Sequence, residues 1–331
     1  MNLIVGASGG VGGEVARRLL AAGERVRALT RDTVRVRKLL GKGIEAVADQ
    51  PENPAAYRDA LRGVERVFLL ALPHPSQAEH HCALVGAAAA AGVRRLVCMS
   101  ALEARADAPA ALLRWPGQIE AAVRDSGIPF TVLRPNLFMQ SMFLFAPSIA
   151  GEGMFSASSK GAKIGLVDAR DVAEAVLCAA RGDAHLDRTY ALTGPTAISF
   201  ADAADQLSRA LGREITYVEI MPLEGILPLE VRKSMIRAGV PGWYADALLE
   251  LFELINTVAR GTLTDGVLHL TGQEPRSFMQ FACEHVDVFR RKASAAAAQN
   301  SALRHDQLPR SRQWLAAWLG LRKGESADFA D

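Results

Sequence analysis

The residues best placed to do chemistry come first in the chain. Gly6-Ala-Ser-Gly9-Gly-Val-Gly12 puts a glycine at every third position. A turn with this spacing bends sharply, lets backbone N–H groups approach a phosphate, and seats the next helix close to the preceding strand. Each of these needs a missing Cβ. Apolar residues 1–5 read as the strand before the turn and residues 10–22 as the helix after it. That context makes the glycines a dinucleotide-binding turn, with the positive N-terminus of the helix facing the pyrophosphate. The expected contacts are Gly6, Ser8, Gly9, Gly10, Val11 and Gly12.

A second strand over residues 25–30 ends at Arg31, where an enzyme selecting NAD would carry Asp or Glu on the ribose 2′-hydroxyl. Thr30 cannot serve that purpose, whereas Arg31 offers a planar, permanently charged fork for a 2′-phosphate. Arg35, Arg37 and Lys38 add positive charge nearby, so NADP(H) is expected in preference to NAD(H). The competing reading makes these residues the solvated face of a helix, with Asp32 partly neutralising Arg31.

The elements that position these groups alternate along the chain. Further strands are expected at residues 44–48, 66–71, 95–99 and 130–133, with helices at 54–61, 76–91 and 110–126. The alanines at 87–91 belong to a helix, because alanine is the best helix former. Alternating β and α elements give a doubly wound parallel sheet, with ligands at the carboxyl ends of its strands. Those ends add Leu72, Pro73, Ser100 and Pro135 to the cofactor contacts.

Residues 168–176 begin with capping residues and continue as a helix, and 188–192 read as another strand. Helical patterns dominate from 200 to 289, with aromatic residues at Trp243, Tyr244, Phe252 and Phe278 to Phe281. The fold class is therefore α/β, a Rossmann-type sheet with a smaller, mostly helical C-terminal lobe. Residues 1–150 form the NADP-binding domain, its sheet completed from 162–195; residues 151–290 form mainly the substrate lobe, and 291–331 a linker and short amphipathic tail. A cleft between lobe and sheet is where a substrate is expected. Its candidate walls are Trp115, Asn136, Phe138, Met139 and Gln140, with Phe143 and Phe145 further along. Asn136 and Gln140 could orient polar atoms of a substrate; alternatively 138–145 is a helix joining the lobes, and most lobe aromatics are its core.

Composition excludes several classes. Half of the 331 residues are apolar, enough for a large core, and the net charge of +2 points neither to nucleic acid nor to an anionic membrane. Cys82, Cys98, Cys178 and Cys283 are scattered without metal-like spacing, as in a reducing compartment. His80-His81-Cys82 offers adjacent side chains that diverge on a helix, so no metal is expected. A core strand starting at residue 2 leaves no room for a signal peptide, and no apolar run spans a bilayer, so the protein is expected to be cytoplasmic.

Taken together, Gly6-x-x-Gly9-x-x-Gly12, Arg31-Asp, Leu112-Leu-Arg-Trp115, Gly127-Ile-Pro-Phe-Thr-Val-Leu-Arg-Pro-Asn136, Phe138-Met-Gln140, Val167-Asp-Ala-Arg-Asp171, Tyr190-x-Leu-Thr-Gly-Pro195 and Gly239-Val-Pro-Gly-Trp243 resemble the NmrA-like group of atypical short-chain dehydrogenase/reductases, over about residues 1–290. The resemblance implies an NADP-preferring Rossmann domain and a small substrate lobe. It is compatible with NADPH-dependent reductases of quinones, azo or triphenylmethane dyes and imines, and with dinucleotide-binding redox sensors that perform no turnover.

One departure matters. Ordinary members of the superfamily carry Tyr-x-x-x-Lys after the fifth strand, the tyrosine as proton donor and the lysine holding the ribose. Those positions fall on Leu112 and Pro116, and neither transfers a proton; the histidine that related sequences often carry at the second position is missing too. No catalytic residue is identifiable, and Ser100 is only the nearest candidate, a poor acid at neutral pH. Hydride transfer to an acceptor that is already electron-poor does not need that pair. The expected function is thus reduction of a quinone, imine or iminium, enone or dye by NADPH. The alternative is a non-catalytic NADP(H) sensor acting through a protein partner. In the tail, Trp314 and Trp318 share a helical face within 310–323, a possible docking segment for a second copy or another protein, or a helix folded back on its own domain.

Overall fold

The computed structural model describes residues 1–50, 54–70, 73–157, 159, 161–219, 232–233, 235–236, 240–258 and 261–290. Leu72 and the 291–331 tail with its 310–323 segment lie outside these residues.

Seven parallel strands form the main sheet: β1 (Asn2–Val5), β2 (Val26–Thr30), β3 (Glu45–Ala48), β4 (Arg66–Leu69), β5 (Arg95–Met99), β6 (Phe130–Pro135) and, after one strand outside this sheet, β8 (Arg188–Leu192). Their order is β3-β2-β1-β4-β5-β6-β8, so the chain reverses direction across the sheet between β1 and β4. Crossing connections leave a crevice at the carboxyl ends of those two strands, and the Gly6 turn sits there.

Side chains alternate across the sheet because successive strand residues point to opposite faces. Ile4, Val97 and Leu133 pack under α1 (Gly10–Ala21) and α7 (Ala169–Ala179). Leu3, Val5, Leu96, Cys98 and Val132 pack under α3 (Pro54–Ala60), α4 (Gln77–Ala90) and α5 (Ala111–Asp125). Burial on both faces accounts for strands that read as continuous apolar runs. The arginine-rich stretch after β2 is helix α2 (Thr33–Leu40), started by Asp32, whose Oδ1 accepts the Arg35 N–H at 2.8 Å.

The smaller lobe differs from the expected run of helices. Two four-residue strands, β7 (Met154–Ala157) and β9 (Thr216–Glu219), pair in parallel from Met154↔Thr216 to Ala157↔Glu219. They pack with a 3-10 helix (Met139–Phe145), α6 (Ala146–Glu152), α8 (Phe200–Leu211), α11 (Phe278–Glu284) and α12 (Val286–Arg290) around Phe155, Phe200, Phe281 and Phe289. Between the lobes come α9 (Gly242–Val258), laid on α5, and α10 (Gly266–Thr271), laid on α7 and β8.

A buried polar joint ties the lobes. Asp168, the N-cap of α7, accepts from the Arg170 N–H at 2.8 Å and from Gln140 Nε2 at 3.0 Å, while Arg170 grips both its oxygens. Arg170 continues to Glu284 on α11, and one residue on, Asp171 receives both the side chain and the backbone N–H of Arg276. No helix among the described residues is long and apolar enough to cross a membrane.

Candidate functional site

The turn after β1 has the geometry an anion needs. Gly6 takes φ +91°, a left-handed value that glycine adopts without strain, and its carbonyl accepts the Gly9 N–H at 2.9 Å. A Cβ on Gly12 would stand 2.3 Å from that carbonyl oxygen, so glycine at 12 is what lets α1 start against the turn. Gly9, the N-cap of α1, brings no side-chain cap, and the first turn carries no acidic residue. The helix dipole is thus open to an external anion, with the amides of Gly10, Val11 and Gly12 at its end and Ser8 half-buried beside them.

At the end of β2, Asp32 caps α2 and Thr30 Oγ accepts the Asp32 N–H at 3.2 Å, and the Arg31 charge reaches Asp49, just past β3. Burial raises the Asp49 carboxyl above the usual range, partly offset by His80 and Arg31. Burial, with Asp49 adding to it, pushes the Tyr57 hydroxyl up to about 12.

Four buried side-chain atoms have no hydrogen-bond partner among the described residues: Asn2 Oδ1, Asp49 Oδ1, Gln77 Oε1 and Asn136 Nδ2. Asp49 and Asn136 come directly after β3 and β6, at the edge where the fold gathers ligands, and Gln77 opens α4, well past the end of β4. An orphaned buried polar atom costs about 1–3 kcal/mol, which a polar partner supplied by a ligand would offset.

The expected acceptor-pocket residues divide. Asn136 is buried, with Oδ1 accepting the Leu137 N–H at 2.8 Å and Nδ2 the orphan just named. Four residues on, Gln140 has both amide ends engaged, Nε2 on Asp168 and Oε1 accepting the Ala169 N–H at 3.1 Å. It holds the start of α7. Met139 is 1 % exposed within the small-lobe core, its N–H on the Val167 carbonyl at 2.9 Å. Phe138 is half-buried against the main core and bridges Val167; Phe143 and Phe145 belong to the aromatic core of the lobe. Pro73 is half-buried at the start of the chain that leads to α4, and Pro135 is buried at the end of β6.

Ser100 lies buried past β5, and its hydroxyl donates to Glu120 Oε1. The same carboxylate takes two contacts from Arg134 at 2.8 Å each and one from Arg124 at 3.3 Å. Hydrogen bonding to Glu120 raises the Arg134 guanidinium above its ordinary value.

On the opposite wall, Leu112 and Trp115 of α5 pack with Val240 and, from α9, Tyr244 and Leu248. Trp115 and Trp243 meet at 6.2 Å between ring centroids, and the His74 ring stands edge-on to Trp243 at 5.9 Å and 64°. Glu250 on α9 accepts the first amide of α5, Ala111 N–H, at 2.9 Å. Pro116 interrupts α5, and next to it Gly117 lets the 103–107 loop lie on the helix, since a Cβ there would meet Arg105 backbone at 2.1 Å.

Sequence reading placed Asp49 at a ligand-bearing strand end without giving it a role, and passed over His74 and Gln77, which lie on the connection after β4 and at the start of α4. Trp243 was read with the lobe core, and only the contact with His74 brings it to the cleft. Among the described residues no three His, Cys, Asp or Glu side chains are grouped to hold a metal ion.

The comparisons agree with this geometry. An NAD(P)H azoreductase of Xenophilus azovorans is 34% identical over 289 residues, covering 87% of this chain and 99% of the relative. The (4-alkanoyl-5-oxo-2,5-dihydrofuran-3-yl)methyl phosphate reductase of Streptomyces griseus subsp. griseus is 38% identical over 290 residues, again 87% and 99%. The NADPH complex of an Escherichia coli NADPH-dependent quinone oxidoreductase superposes with TM-score 0.75 at 23% identity, over 86% of this chain and 99% of that one, which shows the fold. The NmrA-like family model matches residues 2–275, and with it the glycine turn, the crevice at the β1/β4 reversal and the lobe above it find their place: the chain belongs to the NmrA-like family.

Proposed function

We propose that this oxidoreductase binds NADPH in preference to NADH and reduces a small, flat, electron-poor acceptor, such as a quinone, an imine or iminium, an enone or a dye, without a Tyr-x-x-x-Lys pair. The observation that carries the reading is the set of orphaned polar atoms, Asp49 Oδ1, Gln77 Oε1 and Asn136 Nδ2, together with an uncapped glycine turn. The relatives named for azo and dihydrofuranone-type reduction support it.

In this reading the amides of Ser8, Gly10 and Val11 hold the pyrophosphate while Gly9, its N–H on the Gly6 carbonyl, shapes the turn; Arg31 takes the 2′-phosphate, and Asp49 Oδ1 accepts from the adenine amine. Pro73, Ser100 and Pro135 border the nicotinamide end. Bound NADPH supplies a hydride. The protein's task is then to hold the acceptor flat against the nicotinamide and keep water out, which apolar walls do through proximity. Trp115 and Phe138 are those walls, and Asn136 Nδ2 donates to a carbonyl, either of the carboxamide or of the acceptor. Met139 and Gln140 act behind the pocket by fixing the joint that shapes it. Ser100 acts through Glu120 as a positioning residue for β5 and β6.

Arg31→Ala is expected to weaken NADPH binding about 10- to 100-fold, the value of one charge-assisted hydrogen bond, while NADH binding changes less than about threefold. Fluorescence titration with both nucleotides measures this, and equal losses would remove the role given to Arg31. Turnover is tested by NADPH oxidation against quinones, iminium salts, azo dyes and cationic dyes, with Trp115→Ala and Asn136→Ala locating the pocket. Tight NADPH binding with no oxidation by any acceptor would replace the reductase with a redox sensor.

A further inference from the structure

An acceptor that collects negative charge on oxygen or nitrogen as it is reduced needs a hydrogen-bond donor at that atom, and positions 112 and 116 supply none. Tyr244, buried against Leu112, is a poor substitute, because burial raises its hydroxyl further above the ordinary tyrosine range. Another group reaches the same cleft. His74 follows Pro73 beyond the carboxyl end of β4, and its Nδ1 accepts the backbone N–H of Ser76 at 3.2 Å. Ser76 is the N-cap of α4, so that nitrogen faces the positive end of a fourteen-residue helix. An imidazole nitrogen held as acceptor in this way carries no proton, which leaves the ring proton on Nε2. Its contact with Trp243, itself against Trp115, links the β4 connection to α9 and, through Trp243, to α5. On α4 nearby, burial lowers His81 to about 3, so it stays neutral.

We propose that His74, as a neutral imidazole, donates from Nε2 to the oxygen or nitrogen on which negative charge develops, replacing in space the donor missing at Leu112. The proposal rests on the reductase reading above. The hydride brings two electrons to one end of the conjugated acceptor, a bond forms there, a π bond opens, and the displaced pair settles on the heteroatom. A proton from water completes the product and the imidazole ends as it began. A neutral imidazole so held polarises its partner without giving up its own proton.

Acceptor charge separates this role from packing. Menadione and the azo dye methyl red become anionic as hydride arrives, whereas cationic malachite green becomes neutral and needs no donor. Steady-state kinetics of the NADPH-loaded full chain, wild type against His74→Phe and His74→Gln, test it. For His74→Phe we expect kcat with menadione and methyl red to fall about 100-fold more than kcat with malachite green, with KM little changed. His74→Gln, which keeps an N–H donor, recovers part of that loss, and NADPH titration verifies that both variants fold. Equal losses with all three acceptors, or none, would overturn the proposal. A wild type that reduces only malachite green would overturn it too. If the wild type reduces none of them, the reductase reading fails, a result distinguishable because no variant is involved.

Discussion

Replacing Asp168 with alanine is expected to lower the free energy of unfolding by about 4 kcal/mol, measured by urea denaturation at neutral pH, a large part of the 5–15 kcal/mol that holds a typical protein folded. Asp168 is fully buried and serves three partners at once: the first turn of α7, the Gln140 amide and the Arg170 guanidinium. Losing the cap costs about 1 kcal/mol. The buried Gln140 Nε2 left without an acceptor adds about 1–3 kcal/mol, and half-buried Arg170 loses its principal counter-charge. Asp168→Asn, which keeps a capping oxygen, should cost about half as much. The charge also has a pH signature. Burial works to raise the Asp168 carboxyl, but hydrogen bonds and charge from Arg170, with Gln140 assisting, hold it below the usual carboxylate range. A depressed folded value stabilises the protein above the ordinary aspartate pKa of 3.8, and that contribution is lost as pH falls through the folded value. The stability difference between wild type and Asp168→Ala should therefore shrink below pH 3.8.

The main sheet was legible because its signals are local. Strands such as β1, β2 and β6 are largely apolar runs closed by a glycine, a charge or a proline, and each expected helix in the first half lies within two residues of the observed one at either end. β7 and β9 were not legible. They are four residues each, half of their positions point outward, and they pair across about sixty residues of sequence, so neither a length nor a period distinguished them from loop. The arginines after β2 admitted two readings, and the helix is the one the structure describes: Arg35 and Arg37 stand on α2, and Arg31 lies just ahead of it at the end of β2.

Within the site, types of residue were easier to read than their engagements. Asn136 and Gln140 are both amides near the end of β6, equivalent in sequence as ligands for a polar acceptor. What separates them is a partner 28 residues further on: Asp168 takes Gln140 into the joint, and nothing described takes Asn136 Nδ2. Ser100 looked available until Glu120, twenty residues away, was seen to hold its hydroxyl. His74 passed unnoticed because a histidine in a loop has no pattern of its own. Its meaning comes from a backbone amide two residues later and a tryptophan from α9. Such engagements are decided by tertiary packing, which spacing alone does not encode.

Gly12→Val should have the largest effect on the cofactor. A Cβ at position 12 would lie 2.3 Å from the Gly6 oxygen and 2.8 Å from the Gly6 carbon, both backbone atoms that cannot swing aside as a flexible side chain would. Either the turn or the first turn of α1 must move, and each carries amides that a phosphate would accept from. Losing two charge-assisted hydrogen bonds at about 1.5–3 kcal/mol each predicts NADPH binding weaker by two to four orders of magnitude. Over-packing adds about 1–3 kcal/mol of destabilisation, so the thermal transition should also fall by several degrees. Gly13→Ala is the control, because a Cβ there meets the Ala7 oxygen at 3.2 Å, a contact that a shift of a few tenths of an ångström relieves. It should retain NADPH affinity within about tenfold. A Gly12→Val protein that binds NADPH as the wild type does would show that the pyrophosphate is held elsewhere, and with it would go the assignment of Ser8, Gly10 and Val11.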